Sequence, residues 1–135
     1  MGETDSVKSL RVALVVVGLM FIVGIYPMTV MWPAGWIWHS TGRSDYLQMI
    51  LGIYATLGVF LIIASRNPLA NLNLIWFTVW SSIVHGGIMA VQALTEPEQR
   101  GHLIGDVPAL WIIAAVLAFL TLRAGKPRVA AQMAA

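Results

Sequence analysis

The stretch "WSSIVHGGIMAVQAL", residues 80–94, decides how this chain folds. It is apolar enough to sit in lipid, yet it carries two serines, a histidine, two adjacent glycines and a glutamine. At about 100° per residue of α-helix, Thr78, Ser82, His85, Met89 and Gln92 fall within an arc of about 80°, with Ser81 beside it. Phe77, Ile83, Val84, Ile88 and Val91 take the other face. Hydrocarbon offers no hydrogen bonds, so a polar arc turned toward lipid would go unsatisfied. The pattern predicts a membrane helix whose polar stripe faces other helices. Interhelical hydrogen bonds in membranes average about 0.6 kcal/mol, so the stripe orients the helix more than it glues it.

Four apolar runs stand at about 10–31, 46–64, 72–94 and 107–122, separated by short polar breaks. Crossing a hydrocarbon core takes roughly 17–25 helical residues. The first three runs qualify outright and the fourth is at the short end, with Gly105–Asp106 at its mouth. The whole chain is 135 residues, 59% hydrophobic and only 10% charged. Soluble domains carry about 25% charged residues, and a small one cannot hide this much apolar surface. The lipid bilayer is therefore the expected first partner. The predicted fold is all-α, an integral membrane four-helix bundle over 10–122. A short tail (1–9) precedes it and a basic, frayed tail (123–135) follows. Lys8 and Arg11 ahead of the first run suggest a signal peptide, but the run is long and the following "YPMTVMWPAGW" has no small-x-small cleavage site. The first run is read as a retained span.

Basic residues orient the spans. Lys8, Arg11, Arg66, Arg123, Lys126 and Arg128 fall on one side, whereas Arg43 and Arg100 fall on the other. The positive-inside rule places both termini in the cytoplasm of a bacterial-type inner membrane. The opposite side holds Trp32, Trp36 and Trp38, expected as interfacial anchors. Local signals agree with these boundaries. Pro27 should kink or end the first helix. Ser44 or Asp45 should cap the second, Asn71 or Asn73 the third, and Asp106 the fourth. With a net charge of only +2 and no basic stripe, nucleic acid is excluded as a partner. The absence of cysteine removes disulfides, thiolate metal sites and a cysteine nucleophile.

The chemistry left open centres on His85, near the middle of its span. A neutral imidazole has one donor and one acceptor nitrogen. Gly86 and Gly87 leave a gap beside it that either a neighbouring helix or a small planar ligand can fill. Gly52, Ala55 and Gly58 give the second helix a similar groove, and Gly18 and Gly24 thin the first. Close packing through small residues is the simplest use of such positions. Four chemistries compete with it. Haem held by two histidines needs a second deep imidazole, but His39 and His102 are expected at the outer surface. A metal there would draw on His39, His102, Asp45, Asp106, Glu96 and Glu98, which lack motif spacing. No metal site is predicted. A proton relay needs titratable groups across the span, and only Ser82, Ser81 and Thr78 continue inward from His85. A quinone-like hydrophobic molecule needs only a donor for its carbonyl, which His85, Gln92, Ser82 and Tyr54 can supply; ionisable residues in membranes are functional candidates by default.

"SRNPLANLNLIWFTVWSSIVHGGIMAVQAL" (65–94) and "RGHLIGDVPAL" (100–110) resemble an uncharacterised bacterial family of small four-helix membrane proteins, loosely DoxX-like. The resemblance covers roughly 10–122 and implies a four-helix bundle without an assigned activity. Some DoxX-like proteins are linked to quinone-coupled sulfur oxidation or redox complexes, which inclines the reading toward quinone; this chain has no redox motif. The expectation is a non-enzymatic accessory or stand-alone membrane protein, alone, as a homo-oligomer or within a larger membrane complex. The alternative is a binding or redox-accessory protein for a quinone-like molecule.

Overall fold

A computed structural model describes residues 3–37 and 44–133, with side chains described within 5–37 and 44–125. Helix accounts for nearly all of it, and no strand occurs among the described residues. The order is α1 (Glu3–Leu19), a π-helical segment (Met20–Gly24), α2 (Ile25–Met31), α3 (Pro33–Trp36), α4 (Asp45–Ala64), α5 (Leu72–Thr95) and α6 (Asp106–Met133). Short 3₁₀ turns lie at Pro68–Ala70 and Pro97–Leu103. Four stretches are long and apolar enough to cross a membrane: Asp5–Met31, Asp45–Ala64, Leu72–Thr95 and Pro97–Gly125. Their outward faces are bare hydrocarbon, including Val12, Val23, Ile53, Phe77, Val84, Val91, Ile112 and Phe119. Soluble monomers rarely expose apolar patches larger than a few hundred Å². The skin of this molecule suits lipid, as expected of a multi-pass membrane protein.

α5 and α6 form the tightest pair. Along α5 the buried positions include the series Ile75, Val79, Ser82, Gly86, Met89 and Ala93, with Thr78 beside it; along α6 they include the series Val107, Leu110, Ala114, Leu117, Thr121 and Ala124, with Asp106 and Ile113 beside it. Both series alternate steps of four and three residues, the seam spacing of helices that cross at a shallow angle. α1 packs on α6, and its Leu10, Leu14 and Val17 share a core with Phe21 of the π segment. α4 leans mainly on α1 and the π segment and touches α5 only sparsely. The α1–α4 crossing is close because both sides lack a side chain: a Cβ on Gly18 would stand 2.7 Å from the Gly58 carbonyl oxygen, and one on Gly58 2.5 Å from that of Gly18.

Pro27 does not end the first span. It removes one backbone donor and its ring crowds the carbonyl four residues earlier. The wider π turn at Met20–Gly24 lies immediately upstream, and the chain continues as helix to Met31. Ser44 caps α4, its Oγ accepting from the Leu47 N–H at 3.2 Å. Asn71 stands at the N-cap position of α5, but its side-chain amide donates instead to the Asn67 carbonyl at 2.9 Å. α6 does not fray after Leu122 but runs on to Met133, with Ala124 only 1% exposed in the core.

Candidate functional site

The polar stripe of α5 is sheltered in part. Thr78 and Ser82 are buried and His85 is half-buried, but Gln92 is exposed. The reason is rotational. The buried face of α5 is centred near Ser82 and Gly86, about 50° round from the middle of the polar arc. Gln92 lies at the arc's outer edge and is turned away from the other helices. The Gly86 gap is filled: a Cβ there would stand 2.6 Å from Trp111 Nε1, and that indole N–H donates to the Ile83 carbonyl at 3.4 Å. α6 therefore occupies the space beside Gly86, while Gly87 faces open space.

A cavity of about 90 Å³ lies instead on the other flank of His85. Each of the four membrane-length stretches contributes to its wall. Met20, Phe21 and Ile25 come from the π segment and α2, and Leu51 and Tyr54 from α4; His85 and Met89 come from α5, and Asp106 and Leu110 from α6. Trp36 of α3 completes it. The lining is mostly apolar with a few polar groups, the usual make-up of a small-molecule site. The π turn has a part in this, since it widens the first span where Met20 and Phe21 reach the cavity. Single π turns recur at functional sites.

Besides Asp106, two polar features border this space. The Tyr54 hydroxyl and His85 Nδ1 are 2.7 Å apart, joining α4 to α5 across the cavity wall. Their rings are roughly parallel with centroids 5.9 Å apart, and Phe21 meets the Tyr54 ring edge-on at 4.9 Å. The second feature is Trp36 Nε1, which is buried and has no hydrogen-bond partner among the described residues. Buried indole N–H groups normally find an acceptor, and leaving one unsatisfied costs about 1–3 kcal/mol.

α3 is held in place by backbone contact and one histidine. A Cβ on Gly101 would collide with the Ala34 carbonyl, and one on Gly105 with that of Gly35, so both positions must be bare for α3 to sit down. His102 is fully buried, not a wet loop residue as its sequence position suggests. Its Nδ1 donates to the Asp106 carboxylate, 2.9 and 3.0 Å from the two oxygens, and its Nε2 lies 3.3 Å from the Ile37 carbonyl oxygen. Asp106, expected as the helix cap, is the first residue of α6; it anchors His102 and lines the cavity.

Of the four residues singled out by sequence, Tyr54 and His85 come together at the cavity. Ser82 is buried about one turn along α5 from His85 and does not line it, and neither does Gln92. Sequence reasoning passed over Trp36, taken as an anchor, and Asp106, taken as a cap. Their contribution depends on the docking of α3, which no local pattern announces. Among the described residues, no three of His, Asp and Glu converge as a metal site; His39 lies outside the described residues.

These features define an all-helical protein with membrane-grade helices and a small apolar cavity. By its sequence the chain belongs to a family of unknown function, DUF6632, whose model matches residues 4–134. Comparison with curated proteins and with solved structures found no match.

Proposed function

We propose that the protein holds the carbonyl end of a quinone-like hydrophobic molecule in the cavity at Tyr54 and His85. It does so as a non-enzymatic accessory or stand-alone four-helix bundle. The observation that carries this reading is the Tyr54–His85 pair on the wall of a largely apolar cavity, which is also lined by Trp36, whose buried N–H has no acceptor among the described residues. A ligand oxygen would satisfy it. At about 90 Å³ the cavity suits a headgroup rather than a whole molecule, since drug-sized pockets run to about 300–1,000 Å³. The rest of the ligand would extend into lipid. The loosely DoxX-like resemblance supports the same choice.

The test is co-purification. Protein isolated in mild detergent will carry an extractable lipophilic carbonyl compound, seen by absorbance and mass spectrometry of the organic extract. His85→Ala will keep its helical circular dichroism and lose at least about nine-tenths of that compound, as expected if roughly 1.4 kcal/mol or more of binding is removed. Equal amounts in both proteins would refute the site, and an empty extract from the native protein would refute the function.

For topology, the proposal is a bacterial-type inner membrane with both termini cytoplasmic. Lys8, Arg11, Arg66 and Arg123 are all exposed at the end that would face the cytoplasm, and Asp45, Glu96 and Glu98 are exposed at the other. Local excess of Lys and Arg is what sets orientation. Reporter fusions at either terminus will be active as cytoplasmic enzymes and silent as exported ones; the reverse result overturns the assignment.

A further inference from the structure

We infer that Tyr54 fixes the tautomer of His85, so that the cavity presents N–H donors and selects a carbonyl oxygen over a hydroxyl. This rests on the ligand-binding reading above and extends it to specificity. Tyr54 has one hydrogen-bond contact among the described residues, His85 Nδ1 at 2.7 Å. If Nδ1 carried the proton, the phenol oxygen would accept it and the phenol's own proton would have no acceptor. Donation from the Tyr54 O–H to an unprotonated Nδ1 satisfies both groups. In a neutral imidazole the hydrogen bond at one nitrogen decides where the proton sits, so the proton lies on Nε2. That nitrogen has no protein partner among the described residues, and the ring lines the cavity. Trp36 on the same wall has a buried indole N–H, a donor that cannot accept and has no partner among the described residues. A carbonyl oxygen can take hydrogen bonds from both. A hydroxyl brings a proton of its own, and the side-chain oxygens on the wall are already engaged, the Tyr54 hydroxyl with His85 Nδ1 and the Asp106 carboxylate with His102 Nδ1. Tyr54 is thus a positioning residue, acting on the ligand through His85.

The experiment uses full-length protein labelled with ¹⁵N-histidine in lipid nanodiscs, with His85 resonances assigned by their loss in His85→Gln. The native protein will show His85 protonated at Nε2 and unprotonated at Nδ1, and Tyr54→Phe will shift it toward a mixture. The probes are 2-undecanone and 2-undecanol, which share an apolar tail and differ in the polar group. The native protein will bind the ketone about tenfold more tightly, the effect of one unsatisfied buried donor, and Tyr54→Phe will bring the two within about twofold. A native His85 protonated at Nδ1 would overturn the inference. So would equal binding of both probes, or preference for the alcohol through Asp106, while the ligand-binding reading stood. If neither probe bound, both would fall.

Discussion

Replacing His102 with leucine will destabilise the folded protein by roughly 3–5 kcal/mol, the cost of breaking a buried pair by removing one partner. His102 is completely buried, and it faces the Asp106 carboxylate on one side and the Ile37 carbonyl on the other. Leucine nearly fills the space of the imidazole, so the loss is electrostatic and not a cavity effect. What remains is a largely buried carboxylate that has lost His102 as a donor. The first turn of α6 still offers Asp106 free N–H groups and the positive end of the helix, which places the effect toward the lower end of the range. The paired change His102→Leu with Asp106→Leu removes both polar groups and will be less damaging than His102→Leu alone. Apolar replacement of a whole buried pair is often neutral. Helicity followed through a denaturing-detergent titration measures each variant. Additive losses in the double variant would show that the two side chains act independently. α3 reports the same event locally: with the tie to Ile37 gone, Trp36 will leave the cavity, read as a red shift of its fluorescence with the other tryptophans replaced by phenylalanine.

Much of this architecture was legible in residue order because hydrophobicity acts over whole segments. Four apolar runs of membrane length require helices, since only helices satisfy an isolated backbone in lipid. The polar stripe of α5 correctly placed Thr78 and Ser82 inside. The cap at Ser44 was equally visible, being a contact between residues three apart. What residue order did not carry was the rotation of α5 by about 50° relative to its polar arc. Packing sets that angle: Gly86 lets Trp111 approach, and Ala93 and Ile75 complete the seam, so contact area outweighs the modest gain from burying one more amide at Gln92. The cavity was hidden for a related reason. It needs the π turn ahead of Pro27, the bare backbones of Gly101 and Gly105, and a histidine drawn inward by a carboxylate four residues later. The two glycines meet Ala34 and Gly35, and His102 reaches Ile37, across segments far apart in sequence. Tyr54 and His85, separated by 31 residues, could be named as candidates but not as partners.

Two glycines six residues apart on α4 will respond oppositely to the same substitution. Gly58→Ala will cost about 1–3 kcal/mol, the usual penalty for overpacking, while Gly52→Ala will cost nothing measurable. The added methyl on Gly58 would stand 2.5 Å from the Gly18 carbonyl oxygen, 2.9 Å from Ile22 Cγ1 and 3.1 Å from Phe21 Cβ. The nearest of these is backbone, which cannot rotate aside, so the helices must separate. A Cβ on Gly52 meets nothing within 4 Å, and alanine is the better helix former there. The separation matters beyond stability because α4 has little other support: α1 and the π segment are its main neighbours. Tyr54 lies about one turn from Gly58 on the same helix, so moving α4 away from α1 also draws the phenol from His85 and from Phe21. Gly58→Leu will enlarge both effects and abolish the Tyr54–His85 contact. Equilibrium unfolding in denaturing detergent gives the stability change, and ¹⁵N-histidine spectra show whether His85 has lost its phenol donor. A Gly58→Ala variant as stable as the native protein would show that the α1–α4 crossing has more room than its backbone contacts imply.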